Sequence, residues 1–203
     1  MICQSRLVYL KIYLVILMNV YDFDRTIYRK DSEVDFYFHL LKKQPLLLRF
    51  LPKQCLGFIK YFLKLIDKTS MKSNFYCYLK GVKNIDQEIE KFWDKHIDNM
   101  HSWYKERHQD SDVVITASPE FLVKVACDRL NVARCLGTPV SIKESKIVGL
   151  NCHDKEKVRR FVEAGYDVNE VDEFYSDSYS DQPLRDIAKK GYLVKGEELI
   201  DWK

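Results

Sequence analysis

Two aspartates one residue apart, Asp22 and Asp24, close an apolar run from Leu14 to Tyr21 that reads as a buried strand. A second compact run, Asp112 to Ile115, leads into Thr116 and Ser118, and a third, Val171 to Ser176, leads into Asp177 and Asp181. Lys157 falls in the first turn of a helix expected from Asp154 to about Ala164. Neighbouring carboxylates can divide nucleophilic and proton-transfer duties when their surroundings hold their pKa values apart. A lysine in a first helical turn opposes the helix dipole and so calls for an anionic partner. A hydroxyl ahead of a helix adds a donor to that helix's free N–H groups, a ready anion site. In open parallel sheets ligands gather beyond the carboxyl ends of the strands, so these four segments are expected to meet in one crevice.

The elements that must position them alternate. After the second run, Ser118 and Pro119 suggest an N-cap and first-turn proline for a helix to about Leu130. A hairpin is expected at Pro139 to Leu150, a helix at Arg185 to Lys190 and a last strand at Tyr192 to Val194. The fold class is therefore α/β, a parallel sheet flanked on both faces by helices. Between the first two runs the period turns helical, with helices expected at Glu33 to Lys43, Leu46 to Ile66, Met71 to Gly81 and Ile85 to Arg107. The aromatic residues of this insert, among them Phe36, Tyr37, Phe38, Trp93 and Trp103, read mainly as packing.

A chain of 203 residues holds one sizeable core with room for a small insert. With 46% apolar and 31% charged residues it is a folding sequence, which excludes a disordered chain. A net charge of +3 is too small to indicate nucleic acid, and no nucleic-acid partner is expected. The six cysteines never form Cys-x-x-Cys, which argues against a zinc site and against a disulfide framework; they read as reduced thiols of a cytoplasmic protein. The five histidines lack metal-ligand spacing and stay outside the site. Leu7 to Met18 is apolar but broken by Lys11 and shorter than a span of roughly 20 residues. With no cleavage pattern after it, it reads as an extra leading strand or as sequence upstream of a start at Met18.

Asp22-Phe23-Asp24-Arg25-Thr26 resembles the opening motif of the haloacid dehalogenase (HAD) superfamily hydrolases, in particular the phosphoserine phosphatase-like branch. Val113-Val114-Ile115-Thr116 resembles the second motif, Lys157 within His-Asp-Lys-Glu-Lys-Val the third, and Asp177-Ser-Tyr-Ser-Asp181 the fourth, in the same order. The resemblance implies a Rossmann-like core of residues 1–32 and 108–203 with an all-helical cap at 33–107. It implies Mg²⁺ held by Asp22, the backbone carbonyl of Asp24 and Asp177. It further implies a phosphatase acting on a small phosphorylated metabolite, with Asp22 attacking phosphorus to form an aspartyl-phosphate and Asp24 handling the protons. Thr116, Ser118 and Lys157 would bind phosphate, with Ser118 serving either there or as a cap, Asp181 would orient metal-bound water or Lys157, and Thr26 would support the first motif. A phosphotransferase on the same scaffold is the alternative enzyme. Two positions depart from the family pattern: Ser176 stands where a glycine commonly precedes the fourth motif, and Glu144-Ser145-Lys146 where a turn glycine is easier. Lys155, Arg159 and Arg160, beside the third motif, are expected to face solvent.

From Lys42 to Lys83 ten Lys or Arg stand against a single acid, Asp67. In a cap over the site, such charge draws anionic phosphates inward. The lesser alternative makes Leu46 to Ile66 a basic amphipathic helix on a membrane surface, binding lipid phosphate, with Leu46, Leu47, Phe50, Phe58, Tyr61 and Phe62 as its apolar side. It ranks second because buried cap helices of soluble proteins carry similar faces. Oligomeric state is left open.

Overall fold

A computed structural model describes residues 17–203. The Leu7–Met18 run lies outside the described residues except for Leu17 and Met18, as does the expected strand start at Leu14. The chain then runs β1 (Met18–Tyr21), α1 (Ser32–Lys43), α2 (Leu51–Phe62), α3 (Lys68–Phe75), α4 (Ile85–His96) and α5 (Ser102–Arg107). It continues as β2 (Val113–Pro119), α6 (Glu120–Arg129), β3 (Arg134–Thr138) and the small hairpin β4 (Val140–Ser141) and β5 (Lys146–Ile147). Last come α7 (Lys155–Glu163), β6 (Val171–Ser176), α8 (Gln182–Ile187), β7 (Lys190–Lys195) and β8 (Glu198–Asp201).

Six strands form one sheet in the order β3-β2-β1-β6-β7-β8, parallel throughout except for β8 against β7. Strand periodicity divides the side chains between two faces. Tyr21, Val114 and Tyr175 enter one core, while Val20, Val113 and Phe174 enter the other. Both faces are thus covered, which is why β1 reads as an unbroken buried run rather than an alternating one. The expected α/β class holds, with β8 as an unforeseen edge strand reached through a tight turn at Gly196, φ 63°.

The first core also contains Phe36, Phe92, Trp93 and Trp103 of the insert, so insert and sheet are packed as one. The Trp93 indole N–H donates to the Leu122 carbonyl of α6 at 2.8 Å, and the Trp103 ring stacks on Tyr175 at 5.2 Å between centroids. Phe38 departs from the packing expectation, being more than half exposed.

Three expected helices of the insert are broken or shifted. Leu46–Ile66 is not one helix: a 3₁₀ segment, Pro45–Phe50, precedes α2, because Pro52 is tolerated only in a first helical turn. The segment expected from Met71 starts at Lys68, where the Asp67 carboxylate accepts the Ser70 N–H at 2.7 Å, and Tyr76–Gly81 tightens to 3₁₀. The segment expected from Ile85 to Arg107 is interrupted between α4 and α5 by tertiary pairing. There His101 N–H donates to the Ile27 carbonyl at 2.9 Å and Arg29 N–H to that of Asn99 at 3.1 Å. In the core, α8 begins at Gln182 rather than Arg185, with Pro183 in its first turn, and ends before Lys190. Ser145 adopts the left-handed φ of 56° where a glycine was the easier choice.

Candidate active site

The site grows from the carboxyl edge of β1. Asp22 follows the strand directly, its N–H bonded to the Tyr175 carbonyl of the neighbouring β6 at 2.9 Å, so the sheet itself fixes its position. Arg25 at φ 59° reverses the chain, and the N–H groups of Thr26, Ile27 and Tyr28 all turn back to the Phe23 carbonyl. That turn aims Asp24 at the amino end of α1: its Oδ1 accepts the Ser32 N–H at 2.6 Å, where the helix dipole favours a carboxylate. It also buries Thr26, whose Oγ1 accepts the Asp177 N–H at 3.0 Å and so ties the first motif to the fourth.

The end of β2 supplies the hydroxyls. Its pairing with β3 shifts register between Ile115 and Pro119, an irregularity that re-aims side chains at a strand end. Ser118 is not the helix cap that was an open alternative for it, since no side chain caps α6. Its Oγ instead donates to Asp24 Oδ2 at 2.5 Å, while its N–H donates to Thr116 Oγ1 at 3.0 Å. Asp154 occupies the cap position of α7 but makes no capping bond with its side chain.

Lys157 is almost wholly buried, and its Nζ donates to Asp22 Oδ1 and to Asp181 Oδ2, both at 2.7 Å. Asp181 Oδ2 also accepts the Ser176 hydroxyl at 2.8 Å, and that hydroxyl in turn accepts the Ser178 N–H at 3.1 Å. The residue standing in place of a glycine therefore acts as a bonded brace for the fourth motif. Lys155 and Arg159 face outward as expected, but Arg160 does not: it is largely covered and reaches Glu156 and the Leu150 carbonyl.

Asp22, Asp24, Thr116, Ser118, Lys157, Asp177 and Asp181 line one cavity of about 380 Å³; Thr26 stands behind it as a backbone anchor. The insert closes the other side with groups not assigned to the site from sequence. Lys72 pairs with Glu33 at 2.7 Å and donates to the Ala117 carbonyl at 2.9 Å, linking α3 and α1 to the end of β2. Lys68, Phe58 and His153 also line it. The basic run of the insert signalled Lys68 and Lys72; nothing in the spacing of His153 signalled its place.

Charge is unbalanced in this cavity. Burial, and then the Asp31 charge, push the Asp24 carboxyl up to about 6 against the Ser118 and Ser32 hydrogen bonds. Burial raises Asp22 and Asp177 as well, with Asp181 adding to both. Lys157 is disfavoured by burial, yet Asp22 and Asp181 hold its ammonium charged well above the usual range. On Asp22 the Lys157 charge works against burial and favours the carboxylate; with two carboxylate oxygens at 2.7 Å, the lysine keeps its proton. Asp181 Oδ1 is buried with no hydrogen-bond partner among the described residues. Buried carboxylates this close together suit a cation. Among the described residues no three His, Cys, Asp or Glu side chains cluster tightly enough to hold a metal alone. Two carboxylates with a backbone carbonyl do fit a hard, partly hydrated ion such as Mg²⁺.

A haloacid dehalogenase-like hydrolase family model matches residues 20–185. The chain belongs to that family. Its fold is similar to that of a protein of unknown function from Bordetella pertussis Tohama I, with TM-score 0.67 at 16% identity over 87% of this chain and 88% of that one. It is also similar to a phosphoserine phosphohydrolase-like protein from Francisella tularensis subsp. tularensis SCHU S4, with TM-score 0.52 and 18% identity over 87% of each chain. A probable phosphoserine phosphatase from Vibrio cholerae gives TM-score 0.59 at 8% identity over 87% of this chain and 56% of that one. No curated protein matches. At these identities the solved structures speak for the HAD fold.

Proposed function

We propose that this HAD hydrolase is a Mg²⁺-dependent phosphatase that cleaves a small phosphomonoester through an aspartyl-phosphate on Asp22. The observation that carries the reading is the meeting of four distant segments in one cavity, with Lys157 Nζ held between Asp22 and Asp181. Asp22, the Asp24 backbone carbonyl and Asp177 would hold the ion, which when bound offsets phosphoryl charge that otherwise repels an anionic nucleophile.

Asp22 offers one carboxylate oxygen to phosphorus while the other stays on Lys157, so the nucleophile is oriented rather than swinging. The new O–P bond forms as the ester P–O bond breaks. Asp24, braced by Ser118 and the start of α1, gives its proton to the leaving oxygen and afterwards takes one from the water that attacks the same phosphorus, as the Asp22 O–P bond breaks to release phosphate and restore the carboxylate. Thr116 donates its hydroxyl to a phosphoryl oxygen, Ser118 keeps its own on Asp24, and Lys157 neutralises the phosphoryl charge. The insert places Lys68 on the cavity wall, which favours a substrate carrying further negative charge, while Lys72 is held by Glu33.

The test is a screen of phosphorylated metabolites with and without Mg²⁺, run beside Asp22→Asn. Metal-dependent phosphate release lost in the variant is expected; release by the variant at the wild-type rate removes Asp22 from its role.

A further inference from the structure

Surface helices of globular proteins turn polar side chains outward and apolar ones inward. In α2 this order is inverted. Its buried residues are Gln54 and Gly57. Gln54 accepts the Tyr37 hydroxyl at 2.7 Å and donates to the Phe75 carbonyl at 2.9 Å. Gly57 lies so close to α3 that a Cβ there would sit 2.7 Å from that of Asn74. The outward side carries Leu56, Ile59, Phe62 and Leu63, continued by Leu46 and Leu48 of the preceding 3₁₀ turn. Phe62 is 86% exposed and Leu46 79%. Most of the exposed large hydrophobic side chains among the described residues fall in this stretch. The supposition that ranked the membrane reading second, a buried apolar face on this segment, holds for Leu47 and in part for Phe50, but not for Leu46, Phe58, Tyr61 or Phe62.

The charge around this face has one sign. From Phe36 to Ile66 there is no acidic residue, whereas Lys42, Lys43, Arg49, Lys53, Lys60 and Lys64 are all exposed. Two copies meeting through this face would oppose two purely basic surfaces, which is electrostatically unfavourable. A bilayer bearing anionic headgroups satisfies both features: the lysines meet phosphate charge while leucine and phenylalanine enter the acyl boundary. At 12 residues α2 is too short to span, and among the described residues no helix is long and apolar enough to cross a membrane.

We propose that the outer face of α2 and the turn before it is a docking surface for an anionic lipid bilayer, with α2 lying in the plane of the headgroups. The proposal does not depend on the reaction assigned to Asp22. It is tested by co-sedimentation of the full chain with vesicles of phosphatidylglycerol and phosphatidylcholine, and with vesicles of phosphatidylcholine alone. Binding to the anionic vesicles only, weakening as salt is raised, is expected. Lys53→Glu/Lys60→Glu/Lys64→Glu should weaken partitioning on the order of a hundredfold. Ile59→Ser/Phe62→Ser should weaken it at least about tenfold. Both variants should keep wild-type circular dichroism and thermal unfolding, since none of the five side chains is buried. Absence of binding to anionic vesicles, equal binding to neutral ones, or undiminished binding by both variants overturns the proposal. So does a concentration-dependent dimer that Ile59→Ser/Phe62→Ser abolishes.

Discussion

On the sheet side of the cavity Asp22, Lys157, Asp181 and Ser176 are nearly wholly buried and bonded to one another, whereas on the insert side α2 turns Ile59 and Phe62 to solvent. The first region is over-determined. Each polar group there is the partner another group needs, and losing one leaves a buried charge or hydroxyl unsatisfied. The outer face of α2 has no such mutual dependence, so its residue types answer to something outside the fold. Stability and turnover should therefore respond sharply to change in the first region and hardly at all to change in the second.

The largest expected effect is at the proposed nucleophile: Asp22→Asn should lower phosphate release on the order of ten-thousandfold or more while circular dichroism stays native. A folded variant with turnover within a few-fold of wild type would dissolve the contrast at its strongest point. Asp24→Asn should lower kcat by roughly 10²- to 10⁴-fold, with the smaller loss for aryl leaving groups that need no proton. Equal losses for alkyl and aryl esters would deny Asp24 the acid role. Trp93→Ala, in the part of the insert packed against the sheet, should cost about 3–5 kcal/mol in urea unfolding. A loss below about 1 kcal/mol would mean that insert and sheet do not share a core.

Glu197 sharpens the comparison through pH. It sits in the turn between β7 and β8, where burial works to raise its carboxyl, but His101, Ser102 and Arg29 outweigh burial and hold it at about 2. A depressed carboxyl adds stability above its unfolded value, and that stability fades as pH falls through about 2. Its exposure lets salt screen the effect, so the slope should flatten at high ionic strength. Glu197→Gln should show a shallower loss of stability on acidification from pH 5; parallel curves for variant and wild type would refute the link. Smallest of all, Phe62→Ser should shift stability by no more than about 0.5 kcal/mol. A larger drop in thermal unfolding would show that the α2 face is part of the fold's own packing.

The half of the molecule that carries the candidate site was legible because its signals are local. An apolar run that stops at Asp-Phe-Asp, another at Thr-Ala-Ser and a third at Asp177 mark strand ends, and parallel strands place such ends together. Lys157 was legible by the same logic, since a cation in a first turn needs an anion. The brace at Ser176, the hold of Ser118 on Asp24 and the place of His153 on the cavity wall were not, because each depends on a partner brought in by folding. The helix breaks in the insert divide likewise. Pro52 carried a local signal that the expected Leu46–Ile66 helix overran, but the gap between α4 and α5 follows from pairing with Ile27 and Arg29, some seventy residues earlier.

By itself, then, the chain's residue order determined the family, the alternating architecture and the acids, hydroxyls and lysine gathered at the strand ends, since these follow from short-range pattern. Only the tertiary structure decided which side of α2 faces inward. Periodicity shows that a helix has an apolar face but not what lies opposite it, and α3 approaches α2 through Gln54 and Gly57, leaving the leucines and phenylalanines uncovered.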